Sequence, residues 1–128
     1  MLWTKFVFIA AISALGGLTR VAIAEYRQVP EAREVLAEAM AEVAAVAKAS
    51  GVRLDADIID KTLAFIDASA PDIRPSMQRD LEAGRTSELE SLIGVVVRLG
   101  KEHGVPTPVM GLAYALLTPA HLKAPAKG

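Results

Sequence analysis

Apolar and polar positions alternate along the chain with helical rather than strand spacing. From Phe6 to Thr19 fourteen residues carry no charge, and Phe6, Val7, Phe8, Ile9, Ala10, Ala11 and Ile12 cover more than a full turn. A helix that is apolar all round lies inside a fold, and Gly16-Gly17 is expected to end it. The same stretch has a second reading, because Lys5 ahead of an apolar run and Ala22-Ile23-Ala24 behind it has the layout of a secretory signal and its cleavage site. Gln28-Val29-Pro30-Glu31 opens the next helix, with proline in the first turn and Leu36, Met40, Val43 and Ala47 recurring at three and four residues. Gly51 followed by Val52 closes it. Asp55 is placed to cap a third helix with the stripe Ile59, Leu63 and Ile66, and Pro71 lies beyond its end.

After a loop around Ser69-Ala70-Pro71-Asp72 and Arg74-Pro75, Ser76 to Leu81 reads as a short helix ended by Gly84. Ser87-Glu88-Leu89-Glu90 has the serine-to-glutamate spacing of a capping box, starting a helix whose core face is Leu89, Leu92, Val96 and Leu99. Gly94 inside it costs about 1 kcal/mol unless a neighbouring backbone comes close. Gly104-Val105-Pro106 ends that helix, and a last one is expected from about Thr107 to Leu117. No segment alternates with period two for more than a few residues, so no strand is expected. The pattern predicts an all-α domain of about six to seven helices over residues 1–118, with a frayed tail over 119–128.

Composition narrows the function classes. At 128 residues the chain has the size of one domain, able to bury roughly two-thirds of its unfolded surface. Fourteen basic and fifteen acidic residues leave a net charge of −1, which argues against nucleic acid or an anionic membrane surface as partner. The absence of cysteine excludes disulfides and thiolate chemistry, and the two histidines, His103 and His121, are too few for a histidine metal cluster, so no metal is expected. A membrane-spanning helix needs about 20 apolar residues, and Arg20 stops the run from Phe6. A soluble, cytoplasmic protein is expected.

The stretch from Ser76 to Leu89, followed by Gly94, Val96-Val97-Arg98 and Gly104-Val105-Pro106-Thr107-Pro108, resembles the C-terminal domain of the ketopantoate reductases (2-dehydropantoate 2-reductases). Trp3, Lys5 and the apolar run from Phe6 match the way that domain opens, and the resemblance extends from Leu2 to about Leu117. It implies a helical domain behind an NADPH-binding Rossmann domain, forming one wall of the substrate cleft and a dimer contact. On this reading the apolar segment is the first core helix. Arg20, four residues before Ala24, also fits poorly in a cleavage region that should be small and uncharged.

The resemblance further implies roles for single residues in the reduction of a 2-oxo acid, with ketopantoate and pantothenate biosynthesis as the family's instance. Lys5 gives the proton to the carbonyl oxygen, a task suited to a lysine desolvated on an apolar helix. Ser76 holds the substrate carboxylate and Glu88 its hydroxyl. From the residues alone, Lys5 is equally a lysine snorkelling to water, Glu88 a favourable charge at a helix start, and Asp80 with Arg85 a structural ion pair. Four positions depart from the family, which has asparagines where this chain has Ile9, Ser13, Ile93 and Met110; of these only Ser13 keeps a polar group for the substrate. A pocket that has lost amides cannot hold the same polar substrate with the same fit. No G-x-G-x-x-G follows a strand, so NADPH is expected to be bound mainly by a domain absent from this chain. Two functions follow: the substrate-binding and dimerisation domain of a ketopantoate-reductase-like enzyme, or a non-catalytic helical interaction module left from one.

Overall fold

The computed structural model describes residues 2–69 and 72–125. In order these form α1 (Trp3–Thr19), α2 (Ile23–Tyr26), α3 (Pro30–Ala49), α4 (Ile58–Ser69), α5 (Ser76–Glu82), a π turn (Glu90–Gly94) running directly into α6 (Val95–His103), and α7 (Pro108–Lys123). No strand occurs among the described residues. Ala70 and Pro71, part of the expected loop after α4, lie outside them.

Because α1 is apolar on every side it takes the centre, with α3, α5, α7 and the π turn packed around it. Every residue from Ala10 to Gly16 is buried, about two full turns. The glycine pair does not end this helix. A Cβ on Gly16 would lie 2.0 Å from Gln78 Oε1, and one on Gly17 would lie 2.8 Å from Leu117 Cδ1. The glycines are where α5 and α7 come close, and α1 continues to Thr19. Arg20 supplies the left-handed stop instead, at φ 62°, with its N–H on the Gly16 carbonyl at 2.8 Å. A side chain in that conformation costs about 1 kcal/mol, offset by bonds that pin the turn. Gln78 Nε2 donates to the Val21 carbonyl at 3.0 Å and the Ile23 N–H to the Ile73 carbonyl at 3.3 Å.

Helix α3 follows its pattern: Leu36, Met40, Val43 and Ala47 are all fully buried, and Gly51 at φ 87° is followed by a Val52 N–H returning to the Ala47 carbonyl at 3.0 Å. Helix α4 begins at Ile58, where the Asp55 carboxylate accepts from Lys61 Nζ at 3.0 Å instead of from a backbone N–H and the Asp55 carbonyl accepts from the Ile58 N–H at 3.1 Å. Its far end is held by arginines on two carbonyls and a carboxylate: Arg27 Nη1 donates to the Ile66 and Asp67 carbonyls at 3.1 and 3.2 Å, and Arg33 bonds both Asp67 carboxylate oxygens at 3.0 and 2.8 Å. The expected Asp80–Arg85 pair is present, Nε to Oδ1 at 3.1 Å.

Helix α7 does not stop at Leu117. It passes through Pro119 to Lys123, giving up the hydrogen bond that a residue with an N–H would donate at that position. Its start is fastened from α3. Glu42, buried at 8% exposure, accepts the N–H groups of Val109 and Met110, both at 2.8 Å. These are two of the donors that every helix start leaves unpaired.

Candidate functional site

Lys5, Ile9, Ser13 and Gly16 follow one another at helical spacing and share a face of α1. Along that face exposure falls: Lys5 is open to solvent, Ile9 is half-buried and Ser13 is fully buried. Eight residues at 1.5 Å each put Ser13 about 12 Å from Lys5 along the axis. Beyond Ser13 the face is closed by Gln78 of α5, lying against Gly16. The result is a strip that begins in solvent at Lys5 and ends in the core beneath α5.

Lys5 is flanked by two shallow hollows. One is lined by Leu2, Phe6 and Ile9, the other by Thr4, Phe8, Lys61, Thr62 and Phe65 among others. Trp3 and Phe6 meet edge to face at 5.5 Å, and Phe8 and Phe65 do so at 5.4 Å. The desolvation expected for Lys5 is not supplied by this chain's own residues, since its side chain lies in the open. Neither hollow reaches Ser13, Ser76 or Glu88.

Ser76 is the first residue of α5 and exposed, two residues ahead of the Gln78 that closes the strip. Ser13 is enclosed, and its hydroxyl finds no hydrogen-bond partner. A ligand reaches it only if the surrounding helices move. Ile93 and Met110 are fully buried as well, so two of the four departures from the family pattern have become core.

Glu88 is exposed at the head of the π turn, and its carboxylate makes no hydrogen bond or ion pair among the described residues. Its carbonyl accepts from the Leu92 N–H at 3.0 Å and from Ser91 Oγ at 3.2 Å. The capping box expected here does not form. Ser87 turns its hydroxyl to His121 Nδ1 at 3.1 Å, and Thr86 Oγ1 donates to the Pro125 carbonyl at 2.8 Å. Glu90 turns outward too, accepting from Arg98 Nη1 at 2.9 Å and from the Tyr114 hydroxyl at 2.7 Å. The tyrosine bond, then the arginine, holds the Glu90 carboxyl below the usual range, and the same carboxylate raises the Tyr114 phenol. These side chains occupy the space over Gly94: a Cβ there would lie 2.6 Å from Glu90 Oε2 and 3.0 Å from Arg98 Nη1. The glycine therefore makes room for side chains and not for a neighbouring backbone.

Glu42 escaped the sequence reading, although a signal was present. It sits three residues after Ala39 and four before Val46, on the buried face of α3, and an acid at such a position needs donors.

A dinucleotide needs a strand, a glycine turn and a helix start for its pyrophosphate. The described residues contain no strand, and Gly16-Gly17 is covered by Gln78 and Leu117, so this glycine pair is not a pyrophosphate-binding turn. Among the described residues no cluster of three or more His, Asp or Glu side chains is arranged to hold a metal ion. No described helix is long and apolar enough to cross a membrane.

Comparison with known proteins agrees with the geometry. The family model for the ketopantoate reductase PanE/ApbA C terminal matches residues 1–121. A 2-dehydropantoate 2-reductase of Caulobacter vibrioides is 37% identical over 91 residues, 71% of this chain and 31% of that protein. Among solved structures, the PanE/ApbA family ketopantoate reductase from Ralstonia eutropha JMP134 superposes with TM-score 0.85 at 30% identity, over 96% of this chain and 41% of that one. The 2-dehydropantoate 2-reductase from Methylococcus capsulatus gives 0.85 at 31%, over 98% and 43%. The chain thus spans about a third of the length of the curated relative and about two-fifths of the solved ones. The all-helical arrangement of the described residues around a buried first helix, and the match across nearly the whole length of the chain, place it in one family: this chain belongs to the ketopantoate reductase C-terminal domains.

Proposed function

We propose that the chain forms the substrate-binding wall of an NADPH-dependent 2-oxo acid reductase, completed by a Rossmann-type nucleotide-binding domain in the same longer protein or in a separate one. The observation that carries this reading is that Lys5, Ser76 and Glu88, the residues to which the family resemblance gives substrate roles, are all exposed polar groups in a chain that matches the family's C-terminal domain. The hydride belongs to the nicotinamide held by the other domain. Lys5 Nζ gives a proton to the carbonyl oxygen as negative charge gathers there, Ser76 Oγ donates to the carboxylate, and the Glu88 carboxylate accepts from a substrate hydroxyl. Closure of the second domain over Lys5 supplies the desolvation this chain leaves out. Ser13, enclosed, is not needed for these contacts.

The substrate is 2-dehydropantoate or a related branched 2-oxo acid that keeps a hydroxyl for Glu88, with Ile9 lining the strip one turn from Lys5 while Ile93 and Met110 are core. Those replaced amides also favour the second reading, a helical interaction module without catalysis. The test joins the chain to its nucleotide-binding domain and follows NADPH oxidation with 2-dehydropantoate and a series of branched 2-oxo acids. Turnover with any of them supports the first reading; a formed complex that oxidises NADPH with none establishes the second.

Helix α7 carries exposed Leu112, Leu116 and Leu122, at 57%, 59% and 75% exposure. Leu112 and Leu116, one turn apart, supply the apolar contact for a homodimer. Light scattering at high micromolar concentration should give a dimer mass that Leu116→Glu halves; a wild-type monomer refutes the dimer. A cytoplasmic location fits a chain without cysteine that uses NADPH.

A further inference from the structure

We infer that the last turn of α7 and the segment just beyond it form a positioning element for Glu88, acting through His121 and Pro125 on the two residues that precede it. The inference rests on the reading of Glu88 as the ligand of the substrate hydroxyl. Residues 85–88 have no regular structure, so the direction in which Glu88 presents its carboxylate depends on side-chain contacts. Behind Glu88 the helix holds its carbonyl. In front of it, Ser87 Oγ meets His121 Nδ1 at 3.1 Å and Thr86 Oγ1 meets the Pro125 carbonyl at 2.8 Å.

Three observations make this more than incidental contact. The Ser87 hydroxyl has the spacing to cap its own helix, yet it is spent on the imidazole, with the serine only 9% exposed. Helix α7 runs past Pro119 at the cost of a backbone hydrogen bond. And no described residue after Leu117 is buried, Leu122 being 75% exposed, so apolar burial does not explain why the last turn persists. What it does make are polar contacts to the loop carrying Glu88. Displacement of a substrate-holding group by about 1 Å costs up to 10²-fold in turnover efficiency, which gives such a tether its leverage.

The experiment uses the full protein with its nucleotide-binding domain and the 2-oxo acid it reduces. His121→Ala and Ser87→Ala are each expected to raise KM about tenfold, the value of one hydrogen bond, with kcat within about a factor of three. The double variant should be no worse than either single one. His121→Asn, whose side-chain amide reaches the position of Nδ1, should restore KM. In parallel, amide exchange at Glu88 and Leu89 should quicken in His121→Ala and not in His121→Asn. An unchanged KM in His121→Ala, while Glu88→Gln raises it, overturns the inference and leaves the role of Glu88 standing. An unchanged KM in Glu88→Gln overturns that role, and the inference with it.

Discussion

Removing the Glu42 side chain should loosen α7 from α3, by an amount that can be worked from the contacts. Two backbone N–H groups lose their acceptor in Glu42→Ala. Met110 is fully buried, so its N–H has no water to turn to, and leaving such a donor unpaired costs about 1–3 kcal/mol. Val109 is half-buried and loses less. The sum is about 2–4 kcal/mol, a large part of the roughly 5–15 kcal/mol that holds a domain together. Glu42→Gln keeps one acceptor and removes a buried charge. Burial pushes the Glu42 carboxyl up from 4.5, and the bonds from Met110 and Val109 only partly offset it. The charge therefore costs more than it returns, and the glutamine variant should lie within about 1 kcal/mol of wild type at neutral pH. The sign with pH follows. An acid whose folded value is raised holds its proton in the native state to a higher pH than in the unfolded chain, so its contribution to stability falls as pH rises from about 4.5 through the raised value. Glu42→Gln lacks that fall, and the difference between the two proteins isolates it from other carboxylates. Urea unfolding followed by helicity, at several pH values, measures all three proteins. A glutamine variant as unstable as the alanine one, or an alanine variant within about 1 kcal/mol of wild type, refutes the reasoning.

The two inner glycines should respond in opposite ways to alanine. Gly16→Ala drives a methyl into buried Gln78 and should cost about 1–3 kcal/mol, whereas at Gly94 the two nearest atoms belong to exposed Glu90 and Arg98 side chains that can swing away and the third, Tyr114 Cε1 at 3.1 Å, has to give only a few tenths of an ångström. Alanine there also gains about 1 kcal/mol of helix propensity, so Gly94→Ala should melt close to wild type, and a larger loss at Gly94 than at Gly16 would contradict the packing described. Ser13→Ala removes a buried hydroxyl without a partner and should leave stability unchanged or raise it by up to about 1 kcal/mol; a clear loss in urea unfolding would mean that the hydroxyl is paired after all.

What could be read from the chain was what neighbours in sequence decide. The stripe of α3 and its glycine stop are local, and both appear as expected. Gly16-Gly17 could not be read that way, because a glycine pair looks the same whether it ends a helix or admits another one, and only the position of Gln78 and Leu117 distinguishes the two. Ser87 and Glu90 have the spacing of a capping box, but partners distant in sequence, His121 and Tyr114, take both side chains. Pro119 looked like an end for the same reason, since the contacts beyond it run to residues 86 and 87. The substrate roles proposed for Lys5, Ser76 and Glu88 rest on family resemblance and not on any pattern in the chain. The burial of Ser13 depends on how the other helices pack around α1, which no periodicity reports.

The central claim is that Lys5 supplies the proton for reduction of a 2-oxo acid. It is tested most directly by kcat of Lys5→Ala in the assembly with the nucleotide-binding domain, with NADPH affinity measured alongside. A positioned general acid contributes about 10²- to 10⁴-fold, so kcat should fall within that range while NADPH binds as in wild type, as expected of a group that acts on the substrate carbonyl. A kcat within about a factor of three of wild type, far short of that range, would make Lys5 an ordinary surface lysine and contradict the account.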